Sequence, residues 1–277
     1  MDPQGLSSLP IESTEGTQAV ANSAQAPEET NLLGNSRADL IGLETNNTLA
    51  FIELSPLVGR PRVLVRRIQV RNVSGTLLGI DYRPATGVLY ALDDTGILYT
   101  LDPFTGRVLS RQALSMPFLG GSLSGFDFNP VADRLRLTAA NKQNFRVNVD
   151  TGVVSEDGLL AFPQVPPLVG NPFVTASGYT NSQVGASSTQ LFNIDTNLDR
   201  LLLQNPPNDG SLQDIGSLGV DFSPSTGFDI VTDAAGMNTA YAVSGSTLYT
   251  LDLNTGRATF LAKLPRGPYI GLAARVK

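Results

Sequence analysis

The chain has 277 residues, 41% hydrophobic and 16% charged, with 27 glycines, 18 prolines and a net charge of −6. That profile fits a globular domain of many short strands and tight turns, and it argues against general nucleic-acid binding. Cysteine and histidine are both absent, which excludes disulfides, thiolate nucleophiles, iron–sulfur and cysteine-zinc centres, the Ser-His-Asp triad and imidazole metal ligands.

Residues 1–38 read as a disordered acidic tail, rich in Ser, Thr, Pro, Gln and Ala, with Asp2, Glu12, Glu15, Glu28 and Glu29 against Arg37 alone. The start has neither a basic n-region nor an apolar h-region, so the sequence reads as cytoplasmic. No apolar run is long enough to span a membrane as a helix.

Residues 39–277 read as one repeat domain. Three strand-like runs come first, Leu40–Leu43, Leu49–Ile52 and Val63–Ile68. A full copy of the repeat follows: Leu78-Gly79-Ile80-Asp81-Tyr82-Arg83-Pro84, Val88–Asp93, and Ile97–Leu109 with its turn Asp102-Pro103-Phe104-Thr105-Gly106. The next runs through Ser124-Gly125-Phe126-Asp127-Phe128-Asn129-Pro130, Arg134–Thr138 and Phe145–Val154. A weaker copy spans Val174 to Gly219, and another begins at Gly227-Phe228-Asp229-Ile230 and reaches Arg257. The period is about 45–50 residues, the range of propeller blades, and each copy holds four short strands bounded by Gly, Pro, Asn or Asp.

The last run, Tyr269–Ala273, looks like the first strand of a blade whose other three strands are the N-terminal runs. Joining them closes a five-bladed, all-β propeller of four-stranded antiparallel blades and removes the exposed sheet edges. Six small blades or an open β-solenoid are the alternatives. Asp102, Asp150 and Asp252, each shortly before a Thr-Gly pair, are expected to serve as turn acceptors, since one carboxylate per turn is too few to hold calcium.

The repeated Gly-x-Asp-[Tyr/Phe]-x-Pro segments, Asp133-Arg134-Leu135-Arg136, Asn148–Gly152 and Gln204-Asn205-Pro206-Pro207-Asn208-Asp209-Gly210 resemble a bacterial family of unknown function, domain number forty-three ninety-four, of cyanobacteria and proteobacteria. The resemblance covers roughly residues 39–275. It implies a propeller-like repeat domain and carries no defined catalytic residue; many members look exported, unlike the cytoplasmic reading above.

Two candidate sites stand out. Asp81, Asp127 and Asp229, with Asp221 nearby, fall on or near innermost strands, where carboxylates from different blades converge on the channel. They suit a cation or a carboxylate glycosidase or lactonase; alternatively, each caps the turn that follows it. Arg60, Arg62, Arg66, Arg67 and Arg71 lie in a stretch with no acid, on the expected outer strand of the closing blade. They suit docking to an acidic protein surface, or protect an edge strand by charge. Tyr90, Tyr99, Tyr241 and Tyr249 recur at matching positions as core residues.

The functional expectation is a non-enzymatic binding or scaffold protein with a protein partner of acidic surface, such as a linker in a cyanobacterial pigment–protein complex. It has no expected cofactor, resident metal or nucleic-acid partner. The alternatives are the channel glycosidase or lactonase, and a calcium-stabilised extracellular adhesion module.

Overall fold

A computed structural model describes residues 38–55 and 62–276. The acidic tail to residue 37 and Arg60 therefore lie outside the described residues. The described residues form five four-stranded antiparallel sheets. The first blade joins β1 (Ala38–Glu44), β2 (Thr48–Ser55) and β3 (Arg62–Gln69) to the last strand, β20 (Tyr269–Val276). The second is β4 (Leu77–Arg83), β5 (Val88–Asp93), β6 (Ile97–Asp102) and β7 (Arg107–Ala113). The third is β8 (Ser124–Asn129), β9 (Arg134–Ala139), β10 (Asn144–Val147) and β11 (Val154–Glu156). The fourth is β12 (Val174–Tyr179), β13 (Leu191–Asp195), β14 (Arg200–Gln204) and β15 (Leu212–Ser217). The fifth is β16 (Thr226–Thr232), β17 (Asn238–Ser244), β18 (Thr247–Leu251) and β19 (Ala258–Lys263). This is the five-bladed propeller expected from the repeats, closed as expected: Leu40 pairs with Ala274 and Ile41 with Ala273.

Burial explains the sequence patterns. Inner strands are covered on both faces by neighbouring blades, so β4, β12 and β16 are buried along their whole length, the charged Asp81, Arg83 and Asp229 included. Outer strands meet solvent, and most of β7 is exposed. The core lies between blades. Ile41, Leu43 and Leu49 of the first blade pack on Ile80, Leu89 and Tyr99 of the second. Phe192 and Ile194 of the fourth pack on Phe228 and Ala242 of the fifth. Each such fully buried side chain contributes about 1.5–3 kcal/mol.

Turn chemistry fixes the hairpins. Asp102 accepts the Phe104 N–H at 2.9 Å and the Thr105 hydroxyl at 2.6 Å, and Asp252 accepts the Asn254 N–H at 2.8 Å. The third-blade turn departs from expectation. Asn148, not Asp150, is its acceptor, taking the Asp150 N–H at 3.1 Å. Asp150 instead pairs with Arg83, 2.7 Å away, which also binds Asp133 and ties the second blade to the third.

Asp93 is the most heavily bonded turn residue described. It accepts N–H groups of Gly75, Thr95 and Ile97 and the hydroxyls of Thr95 and Tyr99, at 2.7–3.0 Å. Burial pushes its carboxyl up, but the bonds from Ile97, Thr95 and Tyr99 outweigh it and hold the pKa below the usual value. Its stabilising contribution is therefore complete above an unfolded pKa of about 3.9 and is lost as pH falls through the lower folded value. Asp93→Asn should cost about 2 kcal/mol near neutral pH, because an amide accepts on one oxygen only. Urea unfolding at pH 7 and pH 3 should show that cost shrinking in acid.

Candidate functional site: the channel and the first-blade edge

The inner strands β4, β8, β16 and β20 bring Gly79, Gly125, Gly227 and Gly271 to the channel, and β12 brings Ser177. There the strands pack closely: a Cβ on Gly227 would lie 2.4 Å from the Gly271 carbonyl carbon, and one on Gly125 2.1 Å from the side-chain Oγ of Ser177. The cavity they enclose is about 10 Å³, room for one water-sized sphere.

Two residues further along the same strands stand Asp81, Asp127 and Asp229, all 2–3% exposed, with one oxygen from each within 4.8 Å of the others. Sequence reasoning thus placed all three together in the channel, while Asp221 is exposed outside the group. Their bonding differs from the expected turn caps. Each carboxylate reaches the free edge of the next blade's inner strand. Asp81 accepts the Phe128 N–H at 2.8 Å, Asp127 the Tyr179 N–H at 3.2 Å, and Asp229 the Ala274 N–H at 2.5 Å.

This alignment assigns equivalent positions around the ring. Tyr82, Phe128, Tyr179, Ile230 and Ala274 correspond, and the residues before them are Asp81, Asp127, Gly178, Asp229 and Ala273. Blades four and one therefore supply no carboxylate to the blade that follows. The amides left over, Ile230 and Tyr82, are taken at 2.6 Å by the second oxygens of Asp229 and Asp81. Five inward amides thus meet six carboxylate oxygens. The sixth, Asp127 Oδ2, is buried and has no hydrogen-bond partner.

Electrostatics follow from this crowding. Burial, then the charge of Asp229, pushes Asp81 well above the usual carboxylate range; burial, then Asp81 and Asp229, does the same to Asp127. Burial raises Asp229 to about 7, against the amides of Ala274 and Ile230.

The arrangement does not suit a glycosidase or lactonase. Five of its six oxygens accept backbone amides, and the adjoining cavity is far below the ~300 Å³ or more of ordinary ligand pockets. A larger hollow, about 560 Å³, lies between the fourth and fifth blades, where Asp252 is its sole carboxylate and belongs to a turn.

The arginine stretch divides by role. Arg67 is turned inward, 2.8 Å from Glu44 and 3.1 Å from the Tyr269 hydroxyl, and braces the closing blade. Arg66 is exposed, its guanidinium 4.5 Å from the centre of the Phe51 ring, which stacks on Phe104 at 5.7 Å. Arg71 lies beyond the end of β3, its N–H bonded to the Gly106 carbonyl at 3.2 Å. Arg62 begins β3, with its side chain outside the described residues, as is Arg60.

Sequence reasoning missed one cluster. Arg136, 1% exposed, donates to Asp157 at 2.6 Å, Asn144 at 2.8 Å, Asn208 at 2.9 Å and Tyr179 at 3.2 Å. Asn144 accepts from Gln204 at 3.2 Å, and Gln204 accepts from Asn193 at 2.8 Å. The phrases Asp133–Arg136 and Gln204–Gly210 therefore meet at one junction between the third and fourth blades. Both phrases stood out in the sequence; their meeting required the fold.

No helix among the described residues is long and apolar enough to cross a membrane. No curated protein matches the chain. Among solved structures it resembles a structural-genomics protein of unknown function from Bacteroides thetaiotaomicron VPI-5482, at 18% identity and a TM-score of 0.50. The match covers 84% of this chain and 60% of that one, a likeness of fold alone. The family described as "Domain of unknown function (DUF4394)" matches residues 55–273, and with blades two to five complete inside that span, together with β3 and most of β20 from the first, the chain belongs to it.

Proposed function

We propose that the chain is a non-enzymatic binding domain whose first-blade edge docks onto an acidic protein surface. The observation that carries the reading is the exposed stack of Arg66 on Phe51 and Phe104, with Phe104 57% exposed. Arginine and aromatic side chains dominate binding hot spots, and stacking holds the guanidinium in place before a partner arrives. Phe104 comes from the β6–β7 turn and Arg66 from β3, so the surface bridges two blades. Leu64, on the same strand face as Arg66 by alternation, is 46% exposed and extends the apolar part. Arg71, and Arg60 and Arg62 by sequence, enlarge the positive field; Arg67 does not take part, because it is bonded internally. In this reading the acidic tail is a second contact, and an acidic pigment–protein complex is one partner of the right chemistry.

The test is a native pull-down from source cells with the wild type, an Arg66→Glu/Phe104→Ala variant and a chain lacking residues 1–38. A defined acidic partner should be retained by the wild type, and the double variant should bind it at least ~30-fold more weakly, with its melting temperature unchanged. Equal retention by the double variant would overturn the docking surface.

A further inference from the structure

We propose that Asp81, Asp127 and Asp229 together hold one hard metal cation at the centre of the ring, calcium being the best match in size. Two independent observations point there. One oxygen from each carboxylate lies within 4.8 Å of the others, no farther apart than oxygens bound 2.3–2.6 Å from one calcium ion can lie. Asp127 Oδ2, in a residue 2% exposed, has no hydrogen-bond partner, and a buried acceptor left in that state is costly.

The amide count gives the rest of the argument. Five N–H groups occupy one lone pair on each of five oxygens, leaving other lone pairs free for a metal. Dipoles alone do not offset three carboxylates in a dry channel. Nearby guanidinium groups are committed elsewhere: Arg83 to Asp133 and Asp150, Arg136 to Asp157, and Arg275 to Asp39, over the Tyr82 ring. A divalent cation supplies the missing charge and takes Asp127 Oδ2 as a ligand. Magnesium fits less well, since it prefers shorter bonds and keeps several waters, whereas the adjoining cavity of about 10 Å³ admits one. Gly178 and Ala273, at the two ring positions without a carboxylate, have the smallest side chains there. The ion would be structural, locking blades two, three and five through the residues that already reach across to their neighbours.

Because a buried ion exchanges slowly, the experiment refolds the full chain from urea into either EDTA or calcium chloride. Metal content is then read by mass spectrometry after exhaustive dialysis, and the melting temperature by circular dichroism. The expected result is one calcium per chain and a melting temperature roughly 5–10 °C higher with calcium than with EDTA, with equal magnesium restoring much less. Asp127→Asn, whose amide can donate to a neighbouring carboxylate, should fold, hold no calcium and melt at the same temperature in both buffers. A metal-free wild type whose melting temperature is identical in EDTA and calcium would overturn the proposal and leave a shared proton as the bond Asp127 makes. A wild-type response that Asp127→Asn retains in full would also overturn it, placing the ion elsewhere.

Discussion

Arg136→Met should lower the melting temperature by roughly 8 °C, corresponding to about 3 kcal/mol. Methionine fills much of the volume but donates nothing, so the acceptors of Asn208 and Tyr179 lose their Arg136 bonds inside the junction of blades three and four. The loss stays below that of an abandoned buried charge because Arg146 keeps both oxygens of Asp157, at 2.7 and 2.8 Å. The pairing of Asp157 with both arginines, outweighing the effect of burial, holds its carboxyl below the usual pKa. Arg134→Met, two residues away on the same strand, is the control: its bonds run to nearby backbone carbonyls, and it should change stability by about 0.5 kcal/mol or less. Equal effects of the two substitutions in urea titrations would show that the buried network contributes nothing specific.

Gly227→Ala should be at least as damaging, costing about 3 kcal/mol or more. The three atoms nearest its new methyl group are all backbone of β20, at 2.4, 2.6 and 2.7 Å, so no side chain can turn aside. β16 and β20 must separate, and with them goes the bond from Ala274 to Asp229. Gly178→Ala meets only side-chain atoms of Phe228 and Ile230, the nearest at 2.9 Å, and should cost far less. Hydrogen exchange should show β20 deprotected in the first variant and protected in the second. A Gly227→Ala protein melting within about 2 °C of wild type would mean that the channel wall yields easily.

The blades were legible because their punctuation repeats. Asp102 and Asp252 with their Thr-Gly pairs mark equivalent hairpins, and the repeated Gly-[Ile/Phe]-Asp phrase marks the inner strands of blades two, three and five. The closing blade was legible because Tyr269–Ala273 lacked partners in sequence and Leu40–Ile68 lacked an inner strand. Side-chain roles were harder to read. Arg134 and Arg136 look alike in sequence, on one face of the same strand, and the neighbouring blade decides which is buried. The convergence of Asp81, Asp127 and Asp229 was foreseeable from their shared phrase. Their bonding across blades was not, because the amides of Phe128, Tyr179 and Ala274 lie 45–52 residues from the aspartates that accept them. The five arginines read as a single basic strip, yet Glu44 and Tyr269 claim Arg67 through contacts that local sequence does not encode.

The pairing of β1 with β20 also has a consequence for how the protein is made. About two hundred residues separate the end of β3 from the start of β20. At ~5–20 residues per second, the edge of β1 carrying Leu40, Ile41 and Leu43 emerges roughly 10–40 s before its partner strand is synthesised. During that interval the first sheet is a strand short, and any other chain presenting an equivalent β20 can take the place. Closure of the ring is the last and least local event of folding, so nascent chains crowded on one message are most prone to exchange strands just before release.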